Sequence, residues 1–195
     1  MTIIGLCGFQ GAGKDTLATI LINEHNFIKL SFANAVKYVL SIIFGWDRQI
    51  LEGLTPNDRI FRETIDTWWS QELRMDVTPR NMMQYIGTEL FRNHLHEDIW
   101  TKVVEKQLIK LLDENKNVVI TDCRYPNEFE MVKKYGGKIV HIYRTVTWYE
   151  NYKATNELPN HIHSSEIAWL NNDFDHVIIN NGSIDELKDN LHTIL

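Results

Sequence analysis

Apolar and polar positions along this chain follow two rhythms, and a long middle stretch has only one of them. The run Thr2-Ile3-Ile4-Gly5-Leu6-Cys7 is short, apolar and followed by glycines, the pattern of a central strand covered on both faces. From Lys14 to about His25, Leu17, Ile20 and Leu21 recur at helical spacing, and residues 27–32 read as a second strand. Strand signals return at residues 118–121, 138–143 and 176–179, each beside a helical segment. Five strands alternating with helices predict an α/β fold with a parallel sheet flanked by helices.

From Asn34 to about Asn115 there is no strong strand signal and there are several helix starts. Thr55-Pro56 and Thr78-Pro79 each place a capping side chain before a proline at the first helical position. Residues 34–115 are therefore expected to be a helical insertion in a single domain spanning residues 1–195. Ser183-Ile184-Asp185-Glu186 opens the last helix as a capping box. No internal repeat, low-complexity tract or long charge run interrupts this order.

Composition narrows the classes. A hydrophobic content of 44% over 195 residues supports one full core. The 20 basic and 26 acidic residues leave a net charge of -6, which lacks the electropositive surface that polynucleotide binding requires. An anionic ligand must then be held locally. No basic opening leads into an apolar run, and no window approaches the ~20 apolar residues that span a bilayer. The expectation is a soluble cytoplasmic protein with no membrane partner. Cys7 and Cys123 lie in apolar runs, as buried free thiols do, so no disulfide is expected.

The glycine run after the first strand carries the chemistry. Gly8-Phe9-Gln10-Gly11-Ala12-Gly13-Lys14-Asp15-Thr16 follows G-x-x-x-x-G-K-[ST] up to its last position, between a strand and a helix. Glycines let successive amides turn inward on a polyphosphate, and the helix start adds partial positive charge. Gln10, Gly11, Ala12, Gly13, Lys14, Asp15 and Thr16 are the expected ATP contacts, with Lys14 on the β and γ oxygens. Asp15 stands where a hydroxyl usually serves magnesium. Either Thr16 supplies that hydroxyl from the next position, or Asp15 holds the ion through water.

A second acidic position ends the strand of residues 118–121. Asp122 would face the same crevice as the glycine loop if the two strands are neighbours, since ligands lie beyond the carboxyl ends of a parallel sheet. Arg124 and Glu128 follow as candidates for the acceptor site or a closing ion pair. In the insertion, Arg80, Gln84, Thr88 and Arg92 are four apart, a polar stripe opposite Met83, Ile86 and Leu90 on a helix. Arginine suits a phosphate and an amide suits a base edge. Of Trp68, Trp69 and Trp100, at least one could cover a nucleobase while the others pack in the core, and Lys37 could reach an acceptor phosphate. Residues 144–165, with Lys153, Pro159, His161 and His163, have the polar character of a lid to which Arg144 would bring a cation. His94 with His96, and His161 with His163, lack a third ligand at zinc spacing.

These blocks, in this order, resemble the viral deoxynucleoside monophosphate kinases, a branch of the P-loop nucleoside monophosphate kinase group. The resemblance rests on Gly13-Lys14-Asp15-Thr16, Ser31-Phe32-Ala33 with Lys37, and Thr78-Pro79-Arg80 with Gln84, Gly87-Thr88, Arg92 and Asp98-Ile99-Trp100. It continues through residues 121–128, His163-Ser164-Ser165-Glu166 and Asn180-Asn181-Gly182. It implies a three-layer P-loop NTPase fold and transfer of the ATP γ-phosphoryl, with magnesium, to a deoxynucleoside monophosphate. It further implies Lys14, Arg124 and Arg144 on the reacting anions, and Asp15, Thr16 and Asp122 around the metal. Lys37, Trp69, Arg80, Gln84, Thr88, Arg92, Trp100 and Glu128 are the implied acceptor contacts, and a homodimer is compatible with it. Base preference does not carry over. The rival readings are a P-loop kinase of another acceptor, such as dephospho-coenzyme A or phosphomevalonate, and a nucleotide-binding module without turnover.

Overall fold

The computed structural model describes residues 1–145, 147–155, 157, 162 and 166–195, without the side chains of residues 147, 148, 153 and 154. Part of the expected lid, including Pro159, His161, His163 and the Lys153 side chain, lies outside the described residues. The chain forms two compact units, one of residues 1–31 and 104–195 and one of residues 32–103.

The first unit is a five-stranded sheet. Strands β1 (Ile3–Cys7), β2 (Phe27–Leu30), β3 (Asn117–Ile120), β4 (Lys138–Tyr143) and β5 (His176–Ile179) take the order β2-β3-β1-β4-β5. Every pairing is parallel, with Ile4 opposite Val119 on one side of β1 and Leu6 opposite Val140 on the other. All five residues of β1 are buried, as a central strand requires. Because side chains alternate along a strand, the sheet has two faces to cover. Ile4, Leu6, Val119, Val140, Ile142 and Ile178 pack in one cluster with Leu17 and Leu21 of helix α1 (Lys14–His25) and Leu187 of helix α9 (Ile184–Asp189). On the other face, a β-carbon at Gly5 would lie 2.9 Å from Cys123 Sγ and 3.3 Å from Val132 of helix α7 (Pro126–Lys134), so the absent side chain lets α7 approach. Burial of these aliphatic side chains, at about 25 cal/mol per Å² of apolar surface, holds the three layers together.

The expected β2 is longer than the observed one. It ends at Leu30, because Ser31 Oγ donates to Asp122 Oδ2 at 2.8 Å and Phe32 already has helical backbone angles. Helix α6 (Ile99–Asp113) runs across the boundary between the units and ends close to the expected end of the insertion.

The second unit is helical: α2 (Ala33–Phe44), a 3-10 turn (Ile50–Glu52), α3 (Pro56–Glu63), α4 (Thr67–Leu73), α5 (Pro79–Gln84) and a π-helical segment (Tyr85–Arg92). Thr55 and Thr78 are the expected N-caps, and each completes a capping box with Asp58 and Asn81 as the reciprocal partners. Asp66 caps α4 through Trp69 N and accepts the Trp46 indole N–H at 2.8 Å. Phe32, Val36, Leu40, Trp46, Leu51, Val77, Met82, Ile86 and Trp100 are among its buried apolar residues.

The π segment corrects the expected stripe. Bonding from i to i+5 widens the turn and shifts the register of everything after Gln84. Past Gln84, Leu90 is 45% exposed and Arg92 is buried, while before it Met82 rather than Met83 is buried.

Candidate active site

The glycine run forms a compact loop between β1 and α1. Gly8, Gly11 and Gly13 have φ of 137°, 79° and 106°, values that a side chain would strain, and Ala12 N closes the turn on Phe9 O at 3.1 Å. No side chain caps α1 at Gly13, so the amides of its first turn have only the loop in front of them. This is the geometry of an anion receptor at a helix N-terminus.

Lys14 arches back across the loop, its Nζ donating to Gly8 O at 2.7 Å and Phe9 O at 2.9 Å. Burial lowers its pKa and Arg124 lowers it further, against Glu166, Asp15 and Cys7, which raise it. Lys14, Arg124 and Glu166 therefore share one electrostatic neighbourhood. Arg124 Nη1 pairs with Glu166 Oε1 at 2.8 Å.

β3 is the neighbour of β1, which meets the condition set by the sequence: Asp122 leaves the sheet at the end where the loop lies, and Cys123 N bonds Leu6 O at 3.0 Å. Glu128 departs from expectation. Only 2% exposed, it accepts at Oε2 from the backbone N–H groups of Arg124 (2.7 Å) and Tyr125 (3.1 Å), so it shapes the turn that presents Asp122 and Arg124.

Asn180, just past β5, fastens the loop. Its Nδ2 donates to Ala12 O at 2.7 Å, and a β-carbon at Gly13 would lie 2.2 Å from that nitrogen. Its carbonyl accepts from Arg144 Nε at 2.9 Å, while Arg144 Nη1 donates to Gly11 O at 3.3 Å. Arg144 is thus joined to the loop. Although Asn180 belongs to a block that carried the resemblance, its role was not read. Its place at the carboxyl end of a strand, like Asp122, was the available signal.

Behind the loop, His141 lies on Trp169 and Phe174, each 4.8 Å between ring centroids. Burial first, then Lys14, lower its pKa from 6.5 to about 4. The imidazole is neutral at pH 7, so it adds no second cation beside Lys14. Cys7 and Cys123 are buried thiols whose pKa burial raises, which leaves them unreactive.

In the helical unit, Lys37 Nζ pairs with Glu52 Oε2 and Arg48 Nη1 with Glu52 Oε1, both at 2.6 Å. Burial raises the Glu52 pKa, but the bonds from Lys37 and Arg48 outweigh it and keep the carboxylate ionised. Arg80 Nε lies 3.4 Å from Glu63 Oε1. Gln84 and Thr88 stand half-buried on either side of the start of the π segment. Of the three tryptophans, Trp68 is 58% exposed, Trp69 half-buried and Trp100 buried. Trp100 is 5% exposed with its N–H on Gly87 O at 2.7 Å, and Trp69 spends its N–H on Phe44 O and packs between Phe44 and Trp68.

Sheet order, loop and strand-end carboxylate define a P-loop kinase of the three-layer α/β class. Solved structures agree at the level of fold. A sugar kinase from a Janibacter species superposes with a TM-score of 0.53 at 12% identity, covering 100% of this chain and 94% of that one. A dephospho-CoA kinase from Campylobacter jejuni gives 0.50 at 16% identity, covering 99% and 97%. Sequence relatives are closer. A putative deoxynucleotide monophosphate kinase of Acanthamoeba polyphaga mimivirus is 32% identical over 95% of this chain and 92% of its own length. A deoxynucleoside-5'-monophosphate kinase of Escherichia phage T5 is 27% identical over 68% and 72%. The description of the deoxynucleotide monophosphate kinase family matches residues 57–191, and the chain belongs to that family.

Proposed function

We propose that the chain transfers the γ-phosphoryl group of ATP to a deoxynucleoside monophosphate, giving ADP and the diphosphate. The observation that carries this reading is the Lys14-bearing loop beside Asp122 and Arg124, at the carboxyl end of a parallel sheet, in a chain of this family.

In this reading Gln10 to Thr16 receive the ATP phosphates on their amides, with Lys14 leaving its loop carbonyls for the β and γ oxygens. Arg124 and Arg144 offset the charge that develops on the moving group. Catalysis is then positioning and charge neutralisation. The acceptor phosphate, with a second pKa of about 6, is already largely ionised at neutral pH, so no side-chain base is required. Lys37, Arg80, Gln84, Thr88 and Arg92 are assigned to the acceptor, with Trp69 and Trp100 supporting the backbone around them and Glu128 shaping the turn that carries Arg124.

The residues fit magnesium. Asp122, with Asp15 or Thr16, offers oxygen groups near the loop, and among the described residues there is no cluster of three or more acidic, histidine or cysteine ligands. One or two carboxylates plus phosphates and water are what this ion takes. When bound it would neutralise charge on the β and γ oxygens.

No helix of the described residues is long and apolar enough to cross a membrane, which accords with a cytoplasmic enzyme acting on small molecules. Sedimentation would decide between a monomer and a homodimer. The direct test is a coupled assay of ADP release against a panel of deoxynucleoside monophosphates. Release with at least one of them is expected. Tight ATP binding with no release from any would overturn the reading in favour of a binding module.

A further inference from the structure

Glu166 is the carboxylate that Lys14 and Arg124 have in common. It pairs with the Arg124 guanidinium at 2.8 Å and keeps only 13% of its side chain exposed. It is also the strongest of the influences that hold the Lys14 ammonium charged against burial and Arg124. An anion paired with Arg124 and felt by Lys14 acts, electrostatically, as a phosphate bound there would.

The backbone behind Glu166 is fastened to the same loop. Three residues on, buried Trp169 packs on Phe9 of the glycine run, 4.8 Å between ring centroids, and on His141 at the same distance. The turn between them closes through Leu170 N on Ile167 O at 3.0 Å and Asn172 N on Trp169 O at 3.1 Å. The carboxylate therefore belongs to the framework that carries Lys14.

We infer that Glu166 is a charge placeholder, a positioning residue that holds Arg124 until the terminal phosphate of a nucleoside triphosphate takes the guanidinium from it. The inference rests on the assignment of Lys14 and Arg124 to the reacting phosphate. Carboxylate and phosphate both match the planar donors of arginine, so one can replace the other on Arg124. Two anions cannot hold the same donors at close range, and the exchange costs part of the triphosphate's affinity. A nucleoside diphosphate, which lacks the third phosphate, does not compete. After transfer, Arg124 returns to Glu166, which favours release of ADP.

The test is equilibrium binding of ATP and ADP, with magnesium and without acceptor, by calorimetry on the wild type, Glu166→Gln, Glu166→Asp and Lys14→Ala. Glu166→Gln should tighten ATP about tenfold, as expected when a competing state that ties up the site is removed, and leave ADP nearly unchanged. Glu166→Asp keeps the charge on a shorter arm, so its ATP to ADP ratio should fall between those of the wild type and Glu166→Gln. Equal tightening of both nucleotides would reduce Glu166 to general repulsion and overturn the inference. Unchanged or weakened ATP binding in Glu166→Gln, or a Glu166→Asp ratio equal to that of Glu166→Gln, would do the same. Should Glu166→Gln fail to fold, the Glu166→Asp ratio alone decides. Lys14→Ala should weaken ATP binding, and if it does not, the phosphate-loop assignment itself falls, a failure distinct from the others.

Discussion

The sheet unit and the helical unit use their polar side chains in opposite ways. In the sheet unit, Asn180, Glu128 and Ser31 hold backbone and strand-end groups of the phosphate site in place, over strands packed on both faces. In the helical unit, Glu52, Glu63 and Asp66 pair with cations and an indole, while α3 and α4 bury no residue fully and Ile42, Ile60 and Trp68 are exposed. A receptor made of amides depends on a stiff backbone, because a small displacement of several donors loses them together. A region of short helices joined by charged side chains can adjust its contacts one at a time, which suits the acceptor role proposed for it.

The largest effect expected from breaking this contrast is at Lys14. Lys14→Ala should lower kcat by about 10²–10³-fold, the usual loss for a charge-stabilising donor, with an unchanged circular dichroism spectrum. Activity within a few-fold of wild type would remove Lys14 from the mechanism. Next comes Gly13→Ala, which adds a β-carbon 2.2 Å from Asn180 Nδ2 at a φ of 106°. Strain of about 1–3 kcal/mol and a large rise in KM for ATP should follow. Combining it with Asn180→Gly relieves the overlap but not the backbone strain, so only part of the affinity should return.

In the helical unit, Glu52→Gln should raise KM for the acceptor several-fold with little change in KM for ATP, since it loosens Lys37 and Arg48 but no part of the loop. Equal changes in both constants would erase the division of labour. The smallest effect is one of pH. The His141 pKa is about 4 when folded against 6.5 ordinarily, so the unfolded chain binds the proton first. Stability from this group is complete above pH 6.5 and is lost as pH falls toward 4. Chemical denaturation across that window should show a shallower decline in His141→Gln.

Helix starts and strands were legible because each has a local cause. Thr55, Thr78 and Ser183 satisfy amides within their own first turn, and β4 and β5 carry enough apolar residues to be bounded from sequence alone. The backbone bonds of Glu128 were not legible, because an acidic residue four after an arginine looks like a side-chain pair and only the turn shows it bonding the arginine's backbone. The burial of Arg92 was not legible either, because the π segment changes the period on which the stripe is counted.

What the sequence determined by itself is the phosphate loop, since its glycines, lysine and helix start act within nine consecutive residues. What only the tertiary structure decided is the company that loop keeps: Asn180 on Ala12, Asp122 on the neighbouring strand, Glu166 on Arg124. Those partners lie more than a hundred residues away along the chain from the loop. Nothing in the spacing of residues fixes such a meeting, and only the burial of a five-stranded sheet brings it about.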